Sequence, residues 1–326
     1  QEGGKSRMIN VEQLLNLSVR LAAPVILICL GGLFSIKVDI FNLALEGFTL
    51  FGCFAAVVGT YMTQSVAGGI AFAVLVTLLI ALIYALFVFE LDVDPIICAL
   101  ACTTIATGLT RYLLVPVFGV SGRFILPSEL ALPTLHFELL EHVPMIGPIL
   151  NDHSILVYLA LILPFAVHVF LYRTSLGLSI RAIGRNADAA ASAGIGVRRI
   201  RYFAVALNGV FCGLAGAQLA LSLNMFNVGM TDGRGFTAIA VLVLTGSEPV
   251  LSLLACLMFG FSDAMVLTLS GRGYPVQILS MLPYVLALAV VIVPLILRSA
   301  VRKTRRRSAE KKLIVMDSGH SAGTHQ

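Results

Sequence analysis

Where the apolar runs of this chain break, they leave residues that can hold a polar molecule. These are Asn42, Glu46, Asn224, Asn227, Thr231 and Arg234, with Phe226 and Phe236 beside them. Amides, a hydroxyl, a carboxylate and a guanidinium exchange hydrogen bonds with a hydroxylated or heterocyclic solute, and an aromatic ring offers a stacking face. That is binding chemistry. The same residue types also cap helix ends, so each position keeps a purely structural alternative. Sequence patterns for bond-breaking chemistry are absent: the chain has no GxxxxGK[ST], HExxH, GxSxG or CxxC. Cys98 and Cys102 lie one helical turn apart, but no His or acid joins them at ligand spacing. The six Cys, all inside apolar runs, read as packing residues. No metal, no cofactor and no enzymatic activity of this chain's own is expected.

A second group of charged residues fills one segment. Between Leu176 and Val205 the sequence LGLSIRAIGRNADAAASAGIGVRRIRYFAV interrupts long apolar stretches. Arg173, Arg181, Arg185, Arg198, Arg199 and Arg201 stand in or beside it against a single acid, Asp188. Inside it, Asn186 is placed to cap a helix and Asp188 falls in the first turn, where the helix dipole favours an anion. Ala187, Ala189, Ala190, Ala191 and Ala193 make a strong, thin helix former, which Gly194 or Gly196 ends.

These residues must be carried by membrane-spanning elements. Hydrophobic residues make up 58% of the 326, and charged residues only 12%; the mean hydropathy is +0.96. A soluble domain cannot cover that much apolar surface. Continuous runs such as Ile70–Phe89 exclude a strand barrel, so the fold class is all-α, a polytopic helical membrane protein. Spans are expected at Leu21–Ile36, Gly47–Met62, Ile70–Phe89, Pro95–Phe118, Ile155–Tyr172, Tyr202–Leu223, Phe236–Gly246, Val250–Leu269 and Pro275–Leu297. The net charge of +5 combines Arg173–Arg201 and the tail from Arg298, both strongly basic, with an acidic remainder. Such basic segments beside spans mark the cytoplasmic side and anionic lipid rather than nucleic acid.

Two expected spans, Gly47–Met62 and Phe236–Gly246, are short and follow polar, Gly-containing stretches. Glu46-Gly47-Phe48-Thr49 recurs as Arg234-Gly235-Phe236-Thr237, and each is followed by a long span and then by one opened by X-Pro, at Asp94-Pro95 and Tyr274-Pro275. Interrupted segments in matching places point to a transport site between repeats. The expectation is a single membrane domain over 1–326. It comprises repeat one at about 20–118, an external loop at 119–153, a cytoplasmic loop at 173–201, repeat two at about 200–297, and a cytoplasmic tail at 298–326. The repeats run in inverted directions. Lys5, Arg7 and Arg20 favour a cytoplasmic N-terminus, which requires a further half-span in Ile36–Glu46 and a total of about ten. Inversion puts Glu46 and Arg234 near opposite faces, with no salt bridge between them. GxxxG at Gly209–Gly213 allows close helix packing. Asp263 is the main ionisable residue within a span.

Several of these stretches resemble one family. NLALEGF (Asn42–Phe48), GRNADAAASAGIGVRRIR (Gly184–Arg201), LNGVFCGLAGA (Leu207–Ala217), MTDGRGFTAIAV (Met230–Val241) and the FG…DA of Phe259–Ala264 follow one another as in the permease subunits of bacterial ABC importers for simple sugars and nucleosides. The match covers roughly 20–297. The resemblance implies a ten-span permease of the inner (plasma) membrane. It pairs with a second permease, identical or homologous, and with two ATP-binding cassette subunits that hold ATP and Mg. An extracytoplasmic binding protein delivers the substrate. The resemblance further implies that Asn186–Ala193 is a coupling helix seated in a cleft of the ATPase, with Arg185, Gly194 and Arg198 around it. The NLALEG and GRGF wording is that of the nucleoside branch, whereas Ala101-Cys102-Thr103-Thr104-Ile105 lacks the Asn of that branch. The implied solute is a nucleoside or a monosaccharide, carried by alternating access. A self-sufficient secondary carrier or channel is the alternative reading, and the scarcity of intramembrane acids speaks against it.

Overall fold

A computed structural model of the chain describes residues 11–136, 146–270 and 281. The chain divides into two compact units, 1–268 and 269–326, and every contact discussed below lies within the first. The span expected at Pro275–Leu297 and the basic tail lie outside the described residues, apart from Met281.

Helices form where the apolar runs predict them. They are α1 (Val11–Ile36), α2 (Leu45–Thr63), α3 (Val66–Glu90), α4 (Pro95–Phe118), a short α5 (Ile146–Leu150), α6 (Ile155–Arg173), α7 (Ser175–Ile183), α8 (Ala187–Ser192), α9 (Val197–Ser222), α10 (Arg234–Thr245) and α11 (Pro249–Ser270). Seven of the described helices are long and apolar enough to cross a membrane; α10, with 12 residues, is not. Local signals set the boundaries. Asp94 accepts from the backbone N–H of Ile96 (2.9 Å) and Ile97 (3.1 Å) ahead of Pro95, and Gly119 ends α4 at φ +70°. Among the described residues four short strands, β1 (Arg123–Ile125), β2 (Thr134–Leu135), β3 (His153–Ser154) and β4 (Met225–Asn227), pair as two antiparallel ribbons, β1 with β4 and β2 with β3.

The buried centre is made by α1, α2 and α9, with one face of α3 against them. Small residues bring these backbones together. A Cβ on Gly216 of α9 would lie 2.5 Å from the Cys53 nitrogen and 2.6 Å from the Thr49 carbonyl oxygen of α2. Gly213 and Gly209 abut α3 in the same way, which is the close packing that the GxxxG predicts. Gly216→Val is therefore expected to destabilise the detergent-solubilised chain by about 3 kcal/mol through overpacking. Gly108→Val, which meets no atom within 4 Å, should shift the same thermal unfolding curve by less than about 0.5 kcal/mol.

Contacts fix which helix ends share a side. At one end, Tyr61 of α2 and Phe118 of α4 pack on Phe124 of β1. Asn16 of α1 donates to the carbonyls of Ile149 (3.3 Å) and Asn151 (3.1 Å), and Arg20 donates to the carbonyl of Ser222 (2.7 Å). At the other end, Glu90 of α3 meets Arg198 and Tyr202 of α9, and Lys37, just past α1, meets Glu248, just before α11. The Arg-rich segment lies at this second end. Helix α1 therefore starts at the ribbon end, and five long helices separate its start from the Arg-rich segment. Arg20, one of the residues on which a cytoplasmic N-terminus was expected, is bonded at the ribbon end, whereas Lys5 and Arg7 lie outside the described residues. The further half-span expected in Ile36–Glu46 is not formed, because Lys37–Ala44 is non-helical, with turns at Lys37–Asp39 and Leu43–Ala44.

Candidate functional site

Helix α8 is built as its sequence prescribes. The Asn186 side chain accepts from the Ala189 N–H (2.9 Å), and Asp188 occupies the first turn. The helix ends in a Schellman turn: Gly194 is left-handed at φ +85°, its N–H reaches Ala191 (2.9 Å), and the Ile195 N–H reaches Ala190 (3.0 Å). Ala190 is buried and Ala187 partly so, while Arg185, Asn186, Asp188, Ala189, Ala191, Ser192, Gly194 and Arg198 are exposed. The result is a rigid, thin helix standing out from the Arg-rich end. It is held from behind by α7, whose Gly177, Ile180 and Ile183 are buried.

The other candidate residues gather only in part. Glu46, in the first turn of α2, is buried and faces the N-terminus of α10. Its two carboxylate oxygens accept from the backbone N–H of Gly233 (3.1 Å) and Gly235 (2.7 Å). Gly235 is pressed against the Glu46 backbone, with a Cβ position only 2.6 Å from Glu46 Cα. Helices α2 and α10 thus meet N-terminus to N-terminus. A buried carboxylate there satisfies N–H groups of α10 and complements its dipole. This overturns the expectation that Glu46 and the Arg234 region lie near opposite faces; among the described residues no ion pair joins Glu46 to Arg234.

Around this junction, Asn42 accepts from the Ala44 N–H (2.8 Å), and Arg234 Nη1 donates to the carbonyls of Met230 (3.2 Å) and Thr231 (3.3 Å). Thr231 is buried and Phe236 is exposed. Asn42 Nδ2 and Arg234 Nε are buried donors that find no acceptor among the described residues.

Three candidates sit apart from the junction. Asn224, at φ +51°, donates to the carbonyls of Leu126 (2.9 Å) and Pro127 (3.3 Å) and so ties α9 to the ribbon end. Asn227 pairs with Arg123 across the β1–β4 ribbon. Phe226 is fully buried and packs edge-on to Phe54 at 5.3 Å between centroids. It offers no free face to a solute, which corrects its reading as a stacking surface.

The sequence reading missed two charged positions. Arg111 stands exposed on α4, within a span. Its signal was plain, a charge inside an apolar run. Glu248, in the turn after α10, accepts from Lys37 Nζ (3.4 Å) and from the Tyr172 hydroxyl. Neither partner is near it in sequence.

Residues 14–295 match the family described as branched-chain amino acid transport system / permease component. The chain is 34% identical over 259 residues to TsgC13, an ABC transporter permease protein of Haloferax volcanii whose name provisionally assigns it to glucose; the match covers 78% of this chain and 77% of that one. It is 29% identical to the nucleoside ABC transporter permease protein NupC of Lactococcus lactis (82% and 88% covered). The same identity holds for the guanosine ABC transporter permease protein NupQ of Bacillus subtilis (82% and 87% covered). No solved structure matches the chain.

Proposed function

Since the chain belongs to the branched-chain amino acid transport system / permease component family, we propose that it passes a nucleoside or a monosaccharide across a bacterial inner membrane, driven by ATP that separate subunits bind with Mg and hydrolyse. The observation that carries this reading is α8: a helix capped at both ends, Ala-faced and exposed, at the Arg-rich end of a bundle that holds no nucleotide-binding motif of its own. Residues 173–201 form the cytoplasmic coupling loop, in which Asn186–Ala193 docks into a groove of the ATP-binding subunit. Arg185 and Arg198 flank the groove and pair with acids there or with anionic lipid. Residues 119–153 then face outward, 298–326 is a cytoplasmic tail, and the whole is one membrane domain.

The two halves, about 20–118 and 200–297, are inverted repeats. Support comes from α2 and α10, which leave their shared junction in opposite directions, one toward the ribbon end and the other toward the Arg-rich end. A count of ten spans would need one helix beyond the described ones and Pro275–Leu297. The solute passes the junction. There Asn42 and Arg234 hold unused buried donors, which suits hydroxyl and carbonyl acceptors, and Thr231 and Phe236 stand nearby. Weak binding at such a site is sufficient, because an extracytoplasmic binding protein captures the solute. A second permease, identical or homologous, completes the path, and closing the ATP-binding subunits rocks the two permeases about their interface.

The test is uptake of guanosine, adenosine, ribose and glucose by proteoliposomes that hold the complete assembly. Uptake of at least one that requires ATP, the ATP-binding subunits and the delivery protein is the expected result. Uptake by this chain alone, driven by an ion gradient, would establish the secondary-carrier alternative instead.

A further inference from the structure

Helix α10 is tied to the rest of the fold by a carboxylate at each end, Glu46 of α2 at its N-terminus and Glu248 of its own following turn at its C-terminus. At its N-terminus Glu46 of α2 accepts from Gly233 and Gly235. At its C-terminus the chain turns through Gly246 (φ +63°) and Ser247 (φ +58°) into Glu248. The Ser247 N–H reaches back to Leu242 (2.8 Å), and Thr245 bonds Ser252 (2.8 Å), so the turn is stiff. Glu248 accepts from Lys37 Nζ (3.4 Å), at the end of α1, and from the Tyr172 hydroxyl, in the last turn of α6. The Arg181 guanidinium of α7 lies 4.7 Å from the centre of the Tyr172 ring, and its Nε donates to the Leu171 carbonyl (3.0 Å). Gly184, at the end of α7, packs directly on the Lys37 carbonyl and leads within two residues into α8. A continuous set of contacts thus runs from α8 through α7, Tyr172 and Lys37 to Glu248. It then follows α10, which is 12 residues and about 18 Å long, to Glu46 at the junction.

We propose that Glu248 is the positioning residue through which displacement of α8 is transmitted, along α10 as a rigid strut, to the junction where the solute passes. The proposal rests on the coupling reading of α8. A helix bonded at both ends moves as one body, so a shift imposed at Glu248 appears at Gly233 and Gly235 with little loss. The α10–α11 turn has no other charged group, and one oxygen of its acid, Oε1, takes both the Lys37 and the Tyr172 bonds, joining the α1 and α6 ends that α7 grips. A cap for α10 alone would not need partners from two other helices.

The complete assembly in proteoliposomes tests this by the ratio of solute taken up to ATP hydrolysed, using whichever of guanosine or glucose the wild type transports. Glu248→Gln and Tyr172→Phe are each expected to leave assembly and ATP hydrolysis in place and to lower that ratio by roughly 5- to 150-fold, the usual span of a coupling between sites. The double variant should lose little more than either single one, because both cut the same link. Glu248→Asp should recover part of the ratio. An unchanged ratio in both single variants would overturn the proposal while wild-type ATP-driven uptake leaves the importer reading standing; failure of the wild type to couple uptake to ATP would sink that reading itself. Equal falls in ATP hydrolysis and uptake, with the ratio constant, would also overturn the proposal, since they would mark Glu248 as structural only.

Discussion

Replacing Glu46 by alanine is expected to abolish solute uptake and to destabilise the chain by about 3 kcal/mol. The side chain is 8% exposed, and its two oxygens take up the N–H groups of Gly233 and Gly235. Alanine would leave both donors buried without a partner and would remove the negative charge that faces the α10 dipole. Glu46→Gln keeps one acceptor oxygen and brings a donor against a donor, so it should fall between alanine and the wild type. Gly235→Ala is expected to fail for a steric reason, since its Cβ would overlap the Glu46 backbone. Thermal unfolding in detergent checks the stability claim, and ATP-driven uptake in proteoliposomes checks the functional one. Wild-type behaviour of Glu46→Ala in both would show that the junction is not held this way.

A bulky residue on the exposed face of α8 should have the opposite signature. Ala189→Trp is expected to cut ATP-driven uptake by about 100-fold, the loss of some 2.7 kcal/mol of docking free energy. The chain's own unfolding curve should stay within about 0.5 kcal/mol of wild type, because Ala189 is exposed. Loss of uptake with unchanged stability separates a docking defect from a folding one. Uptake at the wild-type rate would mean that this face meets no partner.

The features of the chain that were legible in its sequence are local ones. Asn186 caps α8 and Asp94 caps α4 because a short side chain with an oxygen, followed by helix formers, has few other uses. Gly194 ends α8 because a left-handed turn there suits glycine. The long spans follow from apolar length alone. Misread features depend on depth and on distant partners. The Glu46 and Arg234 stretches repeat each other, and inversion was taken to send them to opposite faces. Because α10 is short and begins inside the bundle against the first turn of α2, the two N-termini instead meet, and the two stretches come together. Phe226 looks like a ring in a polar loop, yet β4 turns it into the core against Phe54. Arg20 looks like an inside-facing charge, yet its partner is the Ser222 carbonyl, 202 positions away. Glu248 stands in a Gly-Ser-Glu-Pro turn like many others, and its partners lie 76 and 211 positions off. Spacing in a sequence cannot signal such pairs.

The central claim is that α8 is held by an ATP-binding partner, and proximity labelling tests it most directly. Ala189→Cys, tagged with a photoactivatable aryl azide and illuminated in the assembled complex, should form a covalent adduct with the ATP-binding subunit. Labelling of that cysteine from the outer face of intact cells, or adducts with lipid alone, would contradict the account.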